Sequence, residues 1–365
     1  MASNEERTMQ AAELQFDASC PSCHASIEFN PEVGKLKCPY CGYEADIPAP
    51  ENEQEQVAQE LDFHSAEARG NVDWGTDTKN IICQECGAES IYDALQVADT
   101  CPYCGSNQVM ESAGKDTLAP NGVCTFEVTH RQAAEHFEKW IGGKWFTPRA
   151  AKESAQPDAF QGVYLPYWTF DTKTSSRYSA KYGRYRDTKD KDGNVKRETD
   201  WFNCTGLYQQ FFDDHLVCAT TRYEKGMLKQ IEPFHMDKNK AYRPEYMSGY
   251  LAERYSVGLD DGWEIAQTEI GQSLRQKITE QIKETYDADT VKELKISTTH
   301  DDVTYKYLTL PVWLSSFKYD NKIYSFMVNG QTGKVAGEAP TSKLRVTIAI
   351  VIVLLIIAAI WLMLQ

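Results

Sequence analysis

Positive charge is scarce in this 365-residue chain: 38 Lys plus Arg stand against 53 Asp plus Glu, a net charge of −15. The deficit lies in the first 120 residues, where 22 acidic residues face 6 basic ones, while the remainder is nearly balanced at 31 against 32. Non-specific nucleic-acid affinity comes from cations displacing counterions. The acidic N-terminal third is therefore expected not to bind DNA or RNA. Catalytic signatures are missing as well. Neither G-x-S-x-G nor H-E-x-x-H occurs, and Asn329 to Lys334 (NGQTGK) lacks the G-x4-G-K-[ST] spacing of a phosphate loop, so it reads as a hairpin turn and no ATP-driven motor is expected. His130 and His136, six apart on a predicted helix, fall on different faces and cannot chelate as an i, i+4 pair does. The opening MASNEERTMQ has no basic start followed by an apolar run, so no export signal is expected. With no catalytic constellation in view, the expectation is a protein that is not an enzyme.

What the chain does have is cysteine in a repeated pattern. CPYCG occurs at Cys38 to Gly42 and again at Cys101 to Gly105, each preceded by another C-x2-C, at Cys20/Cys23 and Cys83/Cys86. Each unit reads C-x2-C, fourteen residues, C-x2-C, with Cys41 and Cys104 closing the two sets. A tight turn at each pair aims two sulfurs at one ion, so two such turns supply four tetrahedral corners. The prediction is two four-thiolate zinc ribbons holding two structural zinc ions, in preference to disulfides or an iron–sulfur cluster. A thioredoxin-type dithiol would sit alone at a helix start within a βαβ pattern, which is not visible here. His24 after Cys23 reads as an exposed turn residue rather than a ligand, since the second unit has Gly87 there. Three cysteines of the eleven, Cys124, Cys204 and Cys218, have no paired spacing. They read as small core residues in a protein of a reducing compartment.

The other long pattern is at the C-terminal end. Val346 to Leu364 (VTIAIVIVLLIIAAIWLML) is uncharged, and its nineteen residues would span about 28 Å as a helix, close to the hydrocarbon core of a bilayer. Lys343 and Arg345 precede it and only Gln365 follows, so the positive-inside tendency leaves the bulk of the chain in the cytoplasm. The expectation is a single-pass, tail-anchored protein of the cytoplasmic membrane, in contact with the lipid bilayer through residues 344–364.

Between these ends the pattern is α+β: two N-terminal four-cysteine zinc ribbons, then antiparallel sheets with covering helices, then the transmembrane helix. The predicted divisions are an extension and first ribbon at 1–47, an acidic linker at 48–78 with a short helix around Val57 to Phe63, and the second ribbon at 79–112. A first helix-plus-sheet module follows at 113–258 and a second at 259–340. Thr129, with Gln132 three residues on and Gly142 at the end, marks a helix whose apolar face is Ala133, Phe137, Trp140 and Ile141. A long helix is predicted over Asp260 to Tyr286, where Ala266, Ile270, Leu274, Ile278 and Ile282 recur every four residues. Strand-like runs occupy Val163 to Thr221, with KDGN as a hairpin turn. Leu165-Pro166-Tyr167-Trp168 echoes Leu310-Pro311-Val312-Trp313, which suggests internal duplication; the prolines are expected near strand starts.

One stretch invites a nucleic-acid reading. Arg177, Lys181, Arg184 and Arg186 interleave with Tyr178, Tyr182 and Tyr185, as a stacking groove would. A solvated hairpin face accounts for the same residues.

The paired ribbons, GVYLPYWTFD, the stretch LPVWLSSFKYDNKIYSFMVNGQTGKVAGEAP and the apolar end together resemble a YdjG-like family of bacterial double-zinc-ribbon, single-pass membrane proteins. Its members are often labelled primosomal helicase-like or TFIIB-type zinc-ribbon proteins. The resemblance implies a scaffold in envelope stress that recruits cytosolic proteins to the membrane, with phage-shock protein A-like and SPFH/flotillin-like partners. It carries over the eight ribbon cysteines as zinc ligands and no catalytic residue. The alternative expectation is a membrane-tethered nucleic-acid-binding zinc-ribbon protein.

Overall fold

The structure is a computed structural model. It describes residues 19–48, 57–68, 78–84, 89–93, 101, 109–112, 118–154, 160–189, 195–223, 225–320 and 322–363. In chain order the elements are β1 (Glu28–Asn30), β2 (Lys35–Lys37), β3 (Glu44–Ala45), β4 (Leu61–Asp62), β5 (Thr78–Cys83), β6 (Glu89–Asp93), β7 (Val109–Ser112), β8 (Gly122–Val123), α1 (His130–Gly142) and α2 (Arg149–Ser154). They continue with β9 (Gln161–Lys189), β10 (Val195–Cys218), α3 (Lys225–Ile231), β11 (Lys240–Ala241), β12 (Leu251–Glu253), α4 (Leu259–Tyr286), β13 (Thr290–Tyr319), β14 (Lys322–Asn329), β15 (Val335–Gly337) and α5 (Lys343–Met363). The expected KDGN turn, at 191–194, lies outside the described residues.

Strands β1 to β3 form a small antiparallel sheet, and the remaining twelve strands form one large sheet. The large sheet is mixed, where a purely antiparallel arrangement was expected. β12 runs parallel to β9 at Val163 and Tyr164, and β8 runs parallel to β13 at Leu308 and Thr309. Both parallel strands are two or three residues long and return to the sheet after long excursions, so no hairpin fixes their direction.

The spine is the antiparallel pair β9 and β13, with β10 on the far side of β9 and β14 on the far side of β13. Leu165 faces Leu310 across the ladder, which brings the two L-P-x-W stretches together in opposite directions. Pro166 is near the start of β9, as expected, but Pro311 is deep inside β13. What makes both tolerable is local. β10 pairs with β9 only as far as Tyr167, and β14 pairs with β13 only as far as Val312, so each proline sits one residue past its neighbour's last pair. There the Pro166 carbonyl accepts from Ala219 N (2.9 Å), and the Pro311 carbonyl accepts from Gly330 N (2.8 Å).

A proline returns no N–H, so the carbonyls of Ala219 and Gly330 are left for other donors. Ala219 O accepts from the N–H groups of Ser256 and Val257, at 2.9 and 3.0 Å. Gly330 O accepts from those of Glu127 and Val128, both at 2.8 Å. The tryptophan of each stretch completes the same pattern. Trp168 Nε1 donates to Val257 O (2.9 Å), and Trp313 Nε1 donates to Val128 O (2.8 Å). Each L-P-x-W therefore grips the segment that enters a helix: α4 in the first case, α1 in the second.

α1 opens with the capping box read from the sequence, Thr129 and Gln132 exchanging hydrogen bonds, and it closes at Gly143. Its buried face is Ala133, Ala134, Phe137 and Ile141, with Trp140 packed beside them. Phe137 stacks on Phe326 of β14 at 3.8 Å between ring centres. α4 buries all five residues of its predicted stripe against Trp168, Phe170, Ala180 and Cys204. Gly262 is required there, because a Cβ would lie 2.7 Å from the Trp168 ring.

NGQTGK is the hairpin turn expected. Asn329 Oδ1 accepts from Gln331 N (2.8 Å) and Thr332 N (3.0 Å), while its amide donates to Ile231 O (2.9 Å). Gly333 takes φ +73°, and a Cβ there would meet the His136 ring. Cys124 and Cys204 are buried and Cys218 partly so. Desolvation pushes the Cys124 and Cys218 thiols up to about 12, which fits core residues rather than nucleophiles.

The acidic linker is not a spacer throughout, and the helix expected at Val57 to Phe63 does not form. Leu61 and Asp62 pair with Tyr305 and Thr304 instead, and a 3-10 turn follows over Phe63–Ala68. Tertiary bonds override a short local propensity here: Ala58 N donates to Asn239 Oδ1 (2.9 Å), and Glu60 reaches Lys306 and Thr304.

Candidate metal centre

Two tight turns build the first cluster, and they repeat one backbone design. His24 N donates to Cys20 O (2.8 Å) and Gly42 N donates to Cys38 O (3.0 Å), each closing the turn around a C-x2-C pair. The residue after each pair takes a left-handed conformation, φ 61° at His24 and 76° at Gly42. His24 is exposed and occupies the turn position that glycine takes in the second pair; it is not in the thiol cluster.

Cys20 Sγ lies 3.5 Å from Cys41 Sγ, and Cys23 Sγ lies 3.6 Å from Cys38 Sγ. All four sulfurs fall within 4.8 Å of one another. A disulfide requires about 2.05 Å, whereas four sulfurs about 2.3 Å from one tetrahedral ion are about 3.8 Å apart. The spacing fits a metal ion and not a disulfide. N–H groups of Cys41 and Tyr40 directed at Cys38 lower its thiol to about 7, while Cys23 and Cys41 are raised within the same cluster.

The ribbon is seated on the body. Phe29 N donates to Ser248 O (2.9 Å), Ser248 Oγ to Ile27 O (2.6 Å) and Tyr250 Oη to Phe29 O (3.2 Å). Phe29 meets Tyr246 edge to face.

In the second cysteine unit Cys83 and Cys101 are buried together beside Val109, while Cys86 and Cys104 lie outside the described residues. Its hairpin joins the large sheet, since Ile91 and Ser90 of β6 pair with Ala252 and Glu253 of β12.

The basic stretch lies on the outer part of β9. Lys181 pairs with Glu293 (2.8 Å), and Arg186 approaches Asp200 (3.4 Å) and Glu198 (3.8 Å). Arg184 donates to Tyr286 O (3.0 Å). Arg177 is exposed, with no ion pair to it among the described residues. Tyr182 stacks on Tyr286 (4.5 Å) and Phe202 (5.3 Å), and Tyr178 packs into the α4 core. Neither tyrosine is presented as a stacking platform. Lys292 instead sits 3.7 Å over the ring of Trp201.

A group that the sequence reading missed joins Glu60, Asp171 and Asp214. Lys306, 5% exposed, enters it, meeting Glu60 and lying 2.6 Å from Asp214. Asp214 N donates to Asp171 (2.7 Å). Desolvation raises the Asp171 carboxyl to about 6. Glu60 and Lys306 are far apart in the chain, so no local pattern announces the pair. At the C-terminal end, α5 is long and apolar enough to cross a membrane and is not buried by the body.

Fold and site together define an α+β protein with a four-cysteine cluster capable of holding a metal ion at its N-terminal side and one uncovered apolar helix at its C-terminal end. The chain is 28% identical over 330 residues to the uncharacterized protein YdjG of Bacillus subtilis (strain 168), covering 90% of this chain and 91% of that one. No family model and no solved structure matches the chain.

Proposed function

We propose that the protein is a non-enzymatic, tail-anchored membrane scaffold that uses its zinc ribbons and α+β body to recruit cytosolic proteins. The observation that carries this reading is that the thiol ribbon is fixed to the body through Phe29, Ser248 and Tyr250, while the same body ends in an uncovered apolar helix. A ribbon held in this way presents a defined surface. Tyr40, between Cys38 and Cys41, is 80% exposed.

The ions proposed are two structural zincs, one per ribbon, because closed four-thiolate sites favour zinc. Metal analysis of the purified chain is expected to give two zinc ions; one or none overturns the paired-ribbon assignment. The swapped symmetry of the two L-P-x-W stretches supports internal duplication of the helix-plus-sheet unit.

By the resemblance described above, the partners proposed are phage-shock protein A-like and SPFH/flotillin-like proteins in bacterial envelope stress. Crosslinking in native membranes with wild-type protein and a Tyr40→Ala variant tests the role of the ribbon. Recovery of these partners by the wild type and their loss in the variant is the expected result. Equal recovery, or none with either protein, rejects the recruiting surface.

A second reading, nucleic-acid binding, rests on the exposed Arg177 and the Lys292 and Trp201 pair on the outer sheet. It requires salt-sensitive binding of single-stranded nucleic acid. The packing of Tyr182 and the pairing of Lys181 favour the scaffold reading instead.

A further inference from the structure

The segment between α1 and the start of α2, Lys144-Trp145-Phe146-Thr147-Pro148-Arg149, buries Thr147 but leaves its two aromatic rings outside the core. Trp145 is 56% exposed and Phe146 41% exposed, and their rings meet edge to face at 5.0 Å. Adjacent exposed aromatics of this size are costly to leave in water.

This segment is bonded to the first turn of the apolar helix. Arg345 donates one guanidinium nitrogen to Trp145 O (2.6 Å) and to Thr147 O (2.9 Å), and Ser342 N donates to Phe146 O (2.8 Å). The uncharged run begins at Val346, the very next residue. Trp145 and Phe146 are thereby held level with the point where α5 would enter hydrocarbon, the depth at which tryptophan is enriched.

Charge at this place is opposite to that of the whole chain. Residues 138–153 contain four basic and two acidic residues, and Lys343 and Arg345 stand beside them. Arg149 and Glu153 pair with each other at 2.9 Å, which leaves three basic residues against one acidic in that stretch.

We propose that the Lys144–Arg149 loop is a second membrane contact: its aromatic pair enters the headgroup and acyl boundary, its cations meet anionic lipid phosphates, and Arg345 locks the loop to the span. This rests on the reading of α5 as a membrane anchor. The consequence is a body fixed in tilt and height relative to the bilayer, rather than one swinging on a single helix.

The test uses the full chain in vesicles of phosphatidylcholine and phosphatidylglycerol, with lipids brominated near the glycerol end of the acyl chains as quenchers of tryptophan fluorescence. The contributions of Trp145 and Trp361 are isolated by difference with Trp145→Phe and Trp361→Phe. Brominated lipid is expected to quench both components, with the Trp145 component shielded from aqueous acrylamide. Arg345→Gln should remove most of the Trp145 quenching and leave the Trp361 quenching in place. If Trp361 is quenched while Trp145 responds only to acrylamide, the helix is anchored and the loop proposal is wrong. If neither is quenched and the protein washes out at alkaline pH, the anchor reading itself fails and takes the loop with it.

Discussion

Replacing Lys306 by methionine should open a stability deficit that depends on pH. The ammonium is almost fully buried, with Glu60 and Asp214 as partners and Asp171 beside them. Burial alone would lower its pKa, but the hydrogen bonds to Asp214 and Glu60 outweigh that and raise it. A lysine whose folded pKa is raised contributes its full stabilisation below its unfolded value of about 10.5, so Lys306 does not titrate in the working range. Methionine nearly fills the same volume, so most of the loss is electrostatic. Removing one member of a buried ionic group costs about 3–5 kcal/mol.

Asp171 can escape part of that cost by staying protonated. Asp171 is already raised to about 6 with the ammonium present. The Lys306 ammonium holds the Asp171 carboxyl down, so without it the carboxyl lies higher still, and the deficit relative to wild type should open as pH climbs above about 6. The expected loss is about 3 kcal/mol at pH 8, falling to about 1 kcal/mol at pH 5. Urea unfolding in mild detergent, followed by tryptophan fluorescence at the two pH values for wild type and variant, measures it. A deficit that is equal at both, or larger in acid, refutes the electrostatic account of this group.

Three further outcomes are expected. His24→Gly should keep the bound metal and stabilise the first ribbon by roughly 1 kcal/mol, because the left-handed position no longer carries a Cβ; metal loss in that variant would make His24 a ligand. Trp168→Phe and Trp313→Phe should each cost about 1–3 kcal/mol, since each strands a buried carbonyl; thermal melts in which only one of them matters would break the symmetry seen at Val257 and Val128. Leu274→Ala should cost about 2–5 kcal/mol by leaving a cavity under α4, and an unshifted melt would mean that the helix does not close over the sheet.

The parts of this fold that sequence revealed are those fixed by short-range geometry. The four-residue recurrence from Ala266 to Ile282 buries every member, because helix periodicity alone decides which side meets the sheet. The Thr129 box and the Cys20/Cys23 and Cys38/Cys41 turns are likewise complete within a few residues. Strands as short as β4, β8 and β12 carry no such signal. Two or three residues cannot show an alternation, and their identity comes from the partner they meet. The Glu60 pairing with Lys306 is invisible for the same reason, and it turned an expected helix into a strand. The basic tyrosine stretch misleads in the opposite direction: its spacing allows a stacking groove, but the ring of Tyr286, about a hundred residues away, occupies the Tyr182 face.

The weak echo between the two L-P-x-W stretches shows how little sequence is needed to encode a joint. In each, the proline withholds one N–H, the opposing carbonyl turns to the segment before a helix, and the indole two residues on takes a carbonyl from that same segment. Three features of one strand thus fix where a helix starts and how it enters. The helix gripped is always the one that precedes the other long strand: β9 holds the start of α4, and β13 holds the start of α1. Each helix then packs over strands of the opposite half, α1 on Phe326 and α4 on Phe170 and Ala180. The two halves close on each other: Arg345 of α5 holds the loop after α1, Trp313 of β13 holds the segment before α1, and Tyr250, which bonds the ribbon at Phe29, meets Trp313 edge to face. The scaffold proposed above would require such continuity between α5 and the four-cysteine cluster, and the connection here runs through packed and hydrogen-bonded segments rather than through a linker.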